Sequence, residues 1–159
     1  MQIEPDRFRH VLGHLPTGVT VLTAYAPTGP VGMSANSLTS VSLEPPLLLV
    51  CPAKSSETWP VIREGRRFCV NVMARHHEPT ARRFAVRGID RFEGSSYHDR
   101  DSGPALDDAI AWIDCELLHE HDAGDHTIAV CAVLDLEPAA GEGEPLVFFR
   151  GRYGTFGES

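Results

Sequence analysis

Apolar residues recur at helical spacing near the amino terminus of the chain. They fall at i, i+3, i+4 and i+7, and they are Phe8, Val11, Leu12 and Leu15. This spacing predicts a helix over 4–15, with Pro5 in its first turn and Pro16 at its end. The pattern also predicts two shorter helices, over 58–64 and over about 79–86.

Most of the other apolar residues lie in short runs that are rich in β-branched side chains or alternate with polar residues. Both patterns are typical of β-strands. The strands predicted in this way, besides one that starts at Val31, cover 19–24, 47–50, 68–72, 111–118, 127–136 and 145–149. The run Leu47–Val50 is apolar throughout, so both faces of that strand are expected to be covered. In the strand over 111–118, Trp112, Asp114 and Glu116 are expected on a solvent-exposed face.

Glycine and proline separate these strands. Pro27–Pro30 is predicted to form a turn, and Gly124 is expected at the tight point of a hairpin between the strands at 111 and 127. Another turn is predicted at 141–144. After the last strand, Arg150–Gly154 is expected to be a polar segment that leads the chain out of the sheet.

The longest predicted loop covers Arg87–Pro104, which is rich in Gly, Ser, Asp and Arg. Long loops in compact domains often cover a functional site. Phe92 is one of the few large apolar residues in this segment. It could close over a ligand or simply pin the loop to the body.

Six or seven strands with short turns, and no alternation of strands with helices, predict an antiparallel fold. The motif Gly-x-Gly-x-x-Gly is absent, which argues against a doubly wound nucleotide-binding sheet. The pattern favours a mainly β, antiparallel Greek-key barrel with short flanking helices. The 159 residues are expected to form a single domain, 1–159.

The charge and the cysteines exclude several classes of function. The formal net charge is −8, so neither a nucleic acid nor an anionic membrane surface is expected as a partner. The amino terminus is acidic where a signal peptide would be basic and then apolar, so the protein is expected to stay in the cytoplasm. The four cysteines are far apart in apolar contexts, which predicts reduced core thiols: Cys51, Cys69, Cys115 and Cys131.

Small and hydroxyl residues dominate the stretch from Gly32 to Pro45, and an apolar run to Cys51 follows. Short donors and acceptors beside a buried strand suit a polar, planar ligand that lies on a sheet, although an ordinary loop has a similar composition. Lys54, the only lysine of the chain, stands beside Ser55 and Ser56. These groups could hold a phosphate; the alternative is a capped helix with a solvated lysine.

The segment 119–126 contains three histidines and three acidic residues, which makes it the best candidate for a metal site. Its histidines are His119, His121 and His126. A charged surface hairpin would have the same composition, and we favour that interpretation over a metal centre.

Six pieces of the sequence stand in a specific order and at specific spacings. They are Pro16–Thr23, Gly32–Cys51, Phe68–Val72, Phe84-Ala85 with Arg91-Phe92, Gly124–Ile128 and Pro145–Gly154. Together they resemble the flavin reductase-like family, the small reductase components of two-component flavin-dependent monooxygenases. The resemblance extends over nearly the whole chain. It implies the FMN-binding split barrel, usually a homodimer with the flavin near the subunit interface.

The resemblance also implies the residues of a cofactor site. The ring and ribityl chain of FMN or FAD would lie against Ser34, Ala35, Asn36, Ser37, Ser40, Val41, Ser42 and Cys51. The flavin phosphate would be held by Lys54, Ser55, Ser56 and Thr58. NADH or NADPH would lie beside Gly124, Asp125, His126, Arg152 and Tyr153, with Phe92 over the nicotinamide or the adenine. His126 would be the catalytic residue, orienting the nicotinamide as a hydrogen-bond donor rather than acting as an obligatory base.

Two departures from the family pattern are visible. Cys131 stands where the family usually has glycine, so the strand there is expected to pack differently. Arg91 replaces a common lysine, which keeps the charge but changes the geometry. Neither departure decides between NADH and NADPH.

The resemblance implies an NAD(P)H:flavin oxidoreductase that supplies reduced flavin to a separate monooxygenase. Hydride transfer between two stacked rings needs little acid–base machinery, which agrees with the lack of a catalytic triad or carboxylate pair. The alternative is a flavin-binding electron carrier or redox sensor on the same barrel. A metal-dependent hydrolase that uses the histidines of 119–126 is a more distant third.

Overall fold

Antiparallel strands dominate the fold. The computed structural model describes residues 1–141 and 143–157, and the following elements belong to that part of the chain. The helices are α1 (Pro5–Leu12), α2 (Trp59–Gly65) and α3 (Glu78–Arg83), with a 3₁₀ turn at Arg75–His77. The strands are β1 (Thr17–Gly18), β2 (Thr20–Ala26), β3 (Gly29–Ala35), β4 (Thr39–Leu43), β5 (Pro46–Val50), β6 (Arg67–Val72), β7 (Tyr97–Arg100), β8 (Gly103–Leu106), β9 (Ala111–Ala123), β10 (His126–Pro138), β11 (Leu146–Phe149) and β12 (Arg152–Thr155). None of the helices is long and apolar enough to cross a membrane.

Most strands belong to one seven-stranded sheet with the order β3-β2-β6-β9-β10-β5-β4. A smaller sheet has the order β1-β11-β12, and β7 pairs with β8. All of these pairs are antiparallel. The predicted mainly β, antiparallel fold is therefore confirmed, and the arrangement is consistent with a split barrel.

The core consists of two apolar clusters on opposite faces of β2. Successive side chains of a strand point to opposite faces, so Val21 belongs to one cluster and Leu22 to the other. Trp59 and Ile62 of α2 cover the first cluster, while Phe84, after α3, belongs to the second. Both faces of β2 are buried from Thr20 to Ala24, and the two threonines in this run hydrogen-bond through their hydroxyl groups.

The prediction of one long loop over 87–104 is wrong in its second half, where β7 and β8 form a hairpin. The buried Asn71 ties this hairpin to the main sheet. Its side-chain oxygen accepts from the backbone N–H of Leu106 at 2.7 Å, and its amide donates to Val21 and to Thr23 at 2.9 Å. Because these hydrogen bonds join residues far apart in the chain, no local pattern indicates the hairpin.

The predicted exposed face of β9 is also wrong at Asp114, whose side chain is only 6% exposed. Arg100 from β7 pairs with this carboxylate at 2.7 Å, and the Ser102 hydroxyl donates to it. The hairpin of β7 and β8 thus covers the face that alternation alone assigns to solvent. A buried carboxylate needs such partners.

The prediction that a polar segment leads the chain out of the sheet after the last strand is also wrong. Arg152–Thr155 instead folds back and pairs with β11 as strand β12. The turn between β11 and β12 consists of Arg150 and Gly151, with φ angles of 52° and 74°. Two positive φ angles in sequence are typical of tight hairpin turns. The predicted turn at 141–144 includes position 142, which lies outside the described residues.

Helix α1 is shorter than predicted, since it ends at Leu12 and the chain continues in a turn. None of its residues is buried. The apolar residues of the predicted helix are 55%, 56%, 48% and 66% exposed, and they are Phe8, Val11, Leu12 and Leu15. The helical spacing therefore marks an apolar face that the chain itself does not cover.

Candidate functional site

The hydroxyl-rich stretch connects β3 with the end of β5. The Ser34 hydroxyl donates to the carbonyl oxygen of Ala81 in α3 at 2.5 Å, and its backbone N–H donates to Phe84 at 3.2 Å. The Ser37 hydroxyl accepts from the backbone N–H of Cys51 at 2.9 Å. These contacts hold the start of the stretch between α3 and the carboxyl end of β5.

The predicted ring-binding residues fall into two groups. Ala35 and Asn36 are half-buried between the two serines that contact α3 and β5. Ser40, Val41 and Ser42 lie in β4, an edge strand that pairs with β5. The register shifts between Ser40 and Ser42, and Val41 is 49% exposed at this irregularity.

Phe92 is half-buried and packs against the second core cluster. Its ring meets the rings of Phe84 and Tyr97 edge to face, with centroids 5.0 and 5.6 Å apart. Phe84 lies directly against Gly32, where an added Cβ would come within 2.8 Å of a ring carbon. Phe92 therefore pins the segment after α3 to the core, and its assignment to a cofactor stays a prediction.

The loop before α2 carries the predicted phosphate ligands. The Ser56 hydroxyl accepts from the backbone N–H of Trp59, the first residue of α2, at 3.1 Å, whereas Thr58 at the N-cap position makes no side-chain capping hydrogen bond. Lys54 is half-exposed, and its ammonium lies 3.2 Å from a carboxylate oxygen of Asp122. An exposed pair of this kind contributes little to stability, so the lysine can exchange this partner for another anion.

Arg91 organises the same loop. Its Nε donates to the carbonyl oxygen of Val86 at 2.9 Å, and its Nη1 donates to the carbonyl oxygen of Gly32 at 2.8 Å and to the Thr58 hydroxyl at 3.0 Å. A planar guanidinium can serve these separated acceptors at once, whereas a lysine could not. The departure from the family's common lysine thus has a structural reason.

Arg87 is a second arginine at this loop, and we did not predict it from the sequence. It donates to the carbonyl oxygen of Ser55 at 2.7 Å and lies 3.3 Å from a carboxylate oxygen of Glu57. Burial and the charge of Arg87 lower the pKa of Arg91 below its usual range, so an anion bound nearby would relieve a repulsion. The recurrence of arginine at every fourth position, 83, 87 and 91, is the signal that could have indicated it.

The loop after β5 pairs with the turn before β10. The backbone N–H of Lys54 donates to the carbonyl oxygen of Asp125, and that of Thr127 donates to Pro52, both at 2.9 Å. These two hydrogen bonds bring the predicted phosphate segment beside the predicted nicotinamide segment. The candidate site therefore has cations at one end and His126 at the other.

The turn between β9 and β10 is a two-residue turn, not the longer connection that the sequence suggests. Gly124 has a φ of 67°, a conformation that glycine adopts without strain. Asp125 accepts a hydrogen bond from Nδ1 of His126 at 2.7 Å, and this hydrogen bond lowers the pKa of the carboxyl group. Because Nδ1 is engaged, Nε2 is the ring nitrogen that is available to a ligand, and the side chain is 48% exposed.

The histidines of β9 and β10 do not converge with acids on one point. The rings of His119 and His121 lie 6.4 Å apart on the same face of β9. Within 1–141 and 143–157, no group of three or more His, Cys, Asp or Glu side chains is arranged to hold a metal ion.

Cys131 departs from the family pattern and Cys51 is a predicted ring-binding residue, so the environment of each thiol is of interest. Cys131 is fully buried in β10, where the register shifts between Val130 and Cys131, and burial raises the pKa of its thiol to about 12. Cys51 is half-buried at the end of β5, and burial raises the pKa of its thiol too. Both thiols stay protonated at neutral pH and are poor nucleophiles.

Arg152 and Tyr153 lie elsewhere, in β12. The Tyr153 ring contacts Phe148 at a centroid distance of 5.1 Å, and the Arg82 guanidinium lies 4.8 Å above it. Both residues line a cavity of about 930 Å³ between α1 and the hairpin of β11 and β12. None of the predicted flavin-binding residues is among the described residues that line this cavity.

Comparison with known proteins gives consistent matches over almost the full chain. The family described as "Flavin reductase like domain" matches residues 12–157. A flavin reductase of Pseudomonas putida is 44% identical over 156 residues, which cover 97% of this chain and 91% of that protein. The reductase subunit of a flavin-dependent monooxygenase of Rhodococcus jostii is 43% identical over 152 residues, 95% of this chain and 77% of that protein.

Solved structures match equally well. The structure of a Streptomyces globisporus NADH:FAD oxidoreductase in complex with NAD and FAD fragments superposes with a TM-score of 0.90 at 34% identity. The superposition covers 99% of this chain and 97% of that chain.

Proposed function

The chain belongs to the flavin reductase-like domain family, and from this premise we propose that it is an NAD(P)H:flavin oxidoreductase that reduces FMN or FAD. The family match confirms the resemblance predicted from the six motifs. The reduced flavin passes to a separate flavin-dependent monooxygenase, as the name of the Rhodococcus relative suggests. The reaction takes place in the cytoplasm, where NADH is available.

The observation that carries this proposal is the pairing of the loop at Lys54 with the turn at His126. It joins a cationic end, suited to a phosphate, to an exposed imidazole that is held in place by a carboxylate. A flavin with its phosphate at the first end would have its ring directed along the hydroxyl-rich stretch. The donor set also fits, because hydroxyl groups and backbone N–H groups suit the edge of a polar ring.

The two nucleotides supply the redox chemistry, since a hydride moves from C4 of a nicotinamide to N5 of a flavin. The protein's task is to bind, orient and exclude water. Lys54, Arg87 and Arg91 neutralise the flavin phosphate. Ser34 and Ser37 fix the shape of the ring site through their contacts with α3 and Cys51. Since Nδ1 of His126 donates to Asp125, Nε2 of the neutral imidazole accepts a hydrogen bond from the nicotinamide carboxamide and so orients the ring, in place of the donor role that the resemblance implies.

The test is consumption of NADH and NADPH by the pure protein, with FMN, FAD or riboflavin in excess under air. Oxidation that scales with added flavin is expected, and the six combinations give both specificities. A yellow protein that retains its flavin and does not oxidise either nicotinamide would contradict the proposal and favour the carrier or sensor alternative.

The active form is a homodimer, and one support is the outer face of β5. Leu47 and Leu49 pair in register with Ala132 and Val130, so these four residues share one face of the sheet. All four are only half-buried. The sequence predicts that both faces of β5 are covered. Within one chain only the face of Leu48 and Val50 is buried, and a second copy of the chain would cover the face of Leu47 and Leu49.

The apolar face of α1 is a second surface that a partner subunit would cover. We expect sedimentation equilibrium to give twice the 17.4 kDa mass of the chain. Leu12→Glu places a charge on this face without disturbing the monomer, because Leu12 is 48% exposed, and it should raise the dimer dissociation constant about tenfold. Arg7→Glu on the same helix is the control and should leave the dimer intact. A monomeric wild-type protein at micromolar concentration would contradict the proposal.

A further inference from the structure

Arg91 connects the two parts of the proposed flavin site through one nitrogen atom. Its Nη1 carries two hydrogens, and it donates to the carbonyl oxygen of Gly32 at 2.8 Å and to the Thr58 hydroxyl at 3.0 Å. Gly32 leads into the hydroxyl-rich stretch proposed for the flavin ring, and Thr58 ends the segment 54–58 proposed for its phosphate, the phosphate loop. A change at either end of this link therefore reaches the other end through a single side chain.

Both the backbone and the guanidinium of Arg91 are fixed. Arg83 of α3 donates from Nε to the carbonyl oxygen of Arg91 at 2.9 Å and from Nη2 to the Ser95 hydroxyl. The Nε of Arg91 donates to the carbonyl oxygen of Val86 at 2.9 Å. Arg91 is thus a rigid bridge between β3 and the phosphate loop, and not a cation that is free to follow a ligand.

The Gly32 end of the link is packed too tightly to absorb a displacement. An added Cβ at Gly32 would come within 2.8 Å of the Phe84 ring and within 3.0 Å of the carbonyl oxygen of Leu22. Two residues further on, the backbone N–H of Ser34 donates to the carbonyl oxygen of Phe84 at 3.2 Å. Because a close-packed interior transmits strain, a pull on Gly32 reaches Ser34, where the predicted ring-binding residues begin.

At the other end of the link, the Thr58 hydroxyl is able to donate to an anion. Its oxygen accepts from Arg91, so its own hydrogen is directed away from the guanidinium. Hydrogen bonds in such a chain polarise and strengthen one another. Burial and the charge of Arg87 lower the pKa of Arg91, so an anion at the phosphate loop also offsets the repulsion between the two guanidinium groups.

From this geometry we propose that Arg91 couples the two parts of the site, so that an anion bound at the phosphate loop tightens the binding of the flavin ring. Arg91 is then a positioning residue, because it acts through Gly32 and Thr58 and not on the reacting atoms. The proposal rests on the proposed function, since it makes the phosphate of the flavin an activator of its own ring site. Binding energy from a remote group is used in this way to position the reacting part of a substrate.

The test divides the flavin into two pieces, riboflavin and inorganic phosphate. Quenching of riboflavin fluorescence gives its dissociation constant with and without saturating phosphate, at constant ionic strength. We expect phosphate to tighten riboflavin binding about tenfold in the wild-type protein, which is within the usual range of coupling between two sites. With NADH under air, kcat/KM for riboflavin should also rise about tenfold. Phosphate should only compete with FMN, which shows that it occupies the phosphate loop.

Arg91→Lys should abolish the effect of phosphate on riboflavin. Lysine keeps the charge but cannot serve three separated acceptors, so phosphate should still compete with FMN while riboflavin binds equally well with and without it. The family commonly has lysine at this position, so the variant should fold, and thermal unfolding checks this. Arg67→Lys is the matched control, because Arg67 is 54% exposed and pairs with Glu116 of β9 rather than with the loop. It should retain the tenfold effect.

Several results would overturn the proposal. One is phosphate that competes with FMN but leaves riboflavin binding unchanged in the wild-type protein, and another is phosphate that does not compete with FMN at all. A tenfold effect that persists in Arg91→Lys would show that the arginine is merely structural, even if riboflavin binds the variant more weakly. If the wild-type protein does not oxidise NADH, the proposed function fails, but the riboflavin titrations still test the coupling because binding requires no turnover.

Discussion

Lys54→Ala is expected to weaken FMN binding about thirtyfold while riboflavin binding changes little, because only FMN carries the phosphate. Lys54 is the only lysine of the chain, and its ammonium contacts the exposed carboxylate of Asp122 at 3.2 Å. The guanidinium groups of Arg87 and Arg91 remain in the variant, so binding is reduced rather than abolished. Quenching of flavin fluorescence measures both dissociation constants.

Asp122→Asn is the matched control for this experiment. It removes the lysine's carboxylate partner and keeps the ammonium, so FMN should bind as tightly as before or more tightly. The salt dependence of FMN binding adds a check on Lys54→Ala. Because this variant has lost one phosphate contact, its dissociation constant for FMN should depend less on ionic strength than that of the wild-type protein. Equal losses for FMN and riboflavin in Lys54→Ala would show that the lysine acts on the ring site or on the fold.

The strands of the core could be predicted because their burial is visible in the local sequence. Leu47–Val50 is an apolar run and Phe68–Val72 is apolar except for Asn71, and both lie in strands of the main sheet. The hairpin of β7 and β8 has no such pattern, since β7 reads Tyr-His-Asp-Arg. It is stabilised instead by Asn71 and by the buried pair of Arg100 and Asp114, which are long-range contacts. Local periodicity contains no information about them.

In the candidate site, too, some residues could be predicted from the local sequence, whereas others depend on long-range contacts. Lys54 and the motif Gly124–His126 stand out in the sequence, but their proximity depends on the register between β5 and β10. Arg87 was missed because it lies beyond a helix end, where its direction follows from the packing of Phe84 and Phe92. The cavity beside α1 was missed for a related reason. Its cations come from the two ends of the chain, and only the fold brings His14 to Arg150.

His126→Ala is expected to slow flavin reduction about a hundredfold while the dissociation constant of FMN changes little. The ring is fixed by the 2.7 Å hydrogen bond between its Nδ1 and Asp125, and this leaves Nε2 for the nicotinamide. The backbone of the turn is tied to the loop of Lys54 independently of the side chain, so the flavin site should survive the substitution. Anaerobic stopped-flow absorbance, with protein and FMN premixed before NADH is added, measures the hydride-transfer step directly.

Asp125→Asn tests whether the carboxylate acts by orienting the imidazole. An asparagine oxygen can still accept from Nδ1, so this variant should retain much more activity than His126→Ala, whereas Asp125→Ala should lose more than Asp125→Asn. The binding of FMN should be the same in all three variants. If His126→Ala reduces flavin at the wild-type rate, the imidazole does not orient the nicotinamide, and the hydride-transfer geometry must be set by the stacking of the two rings.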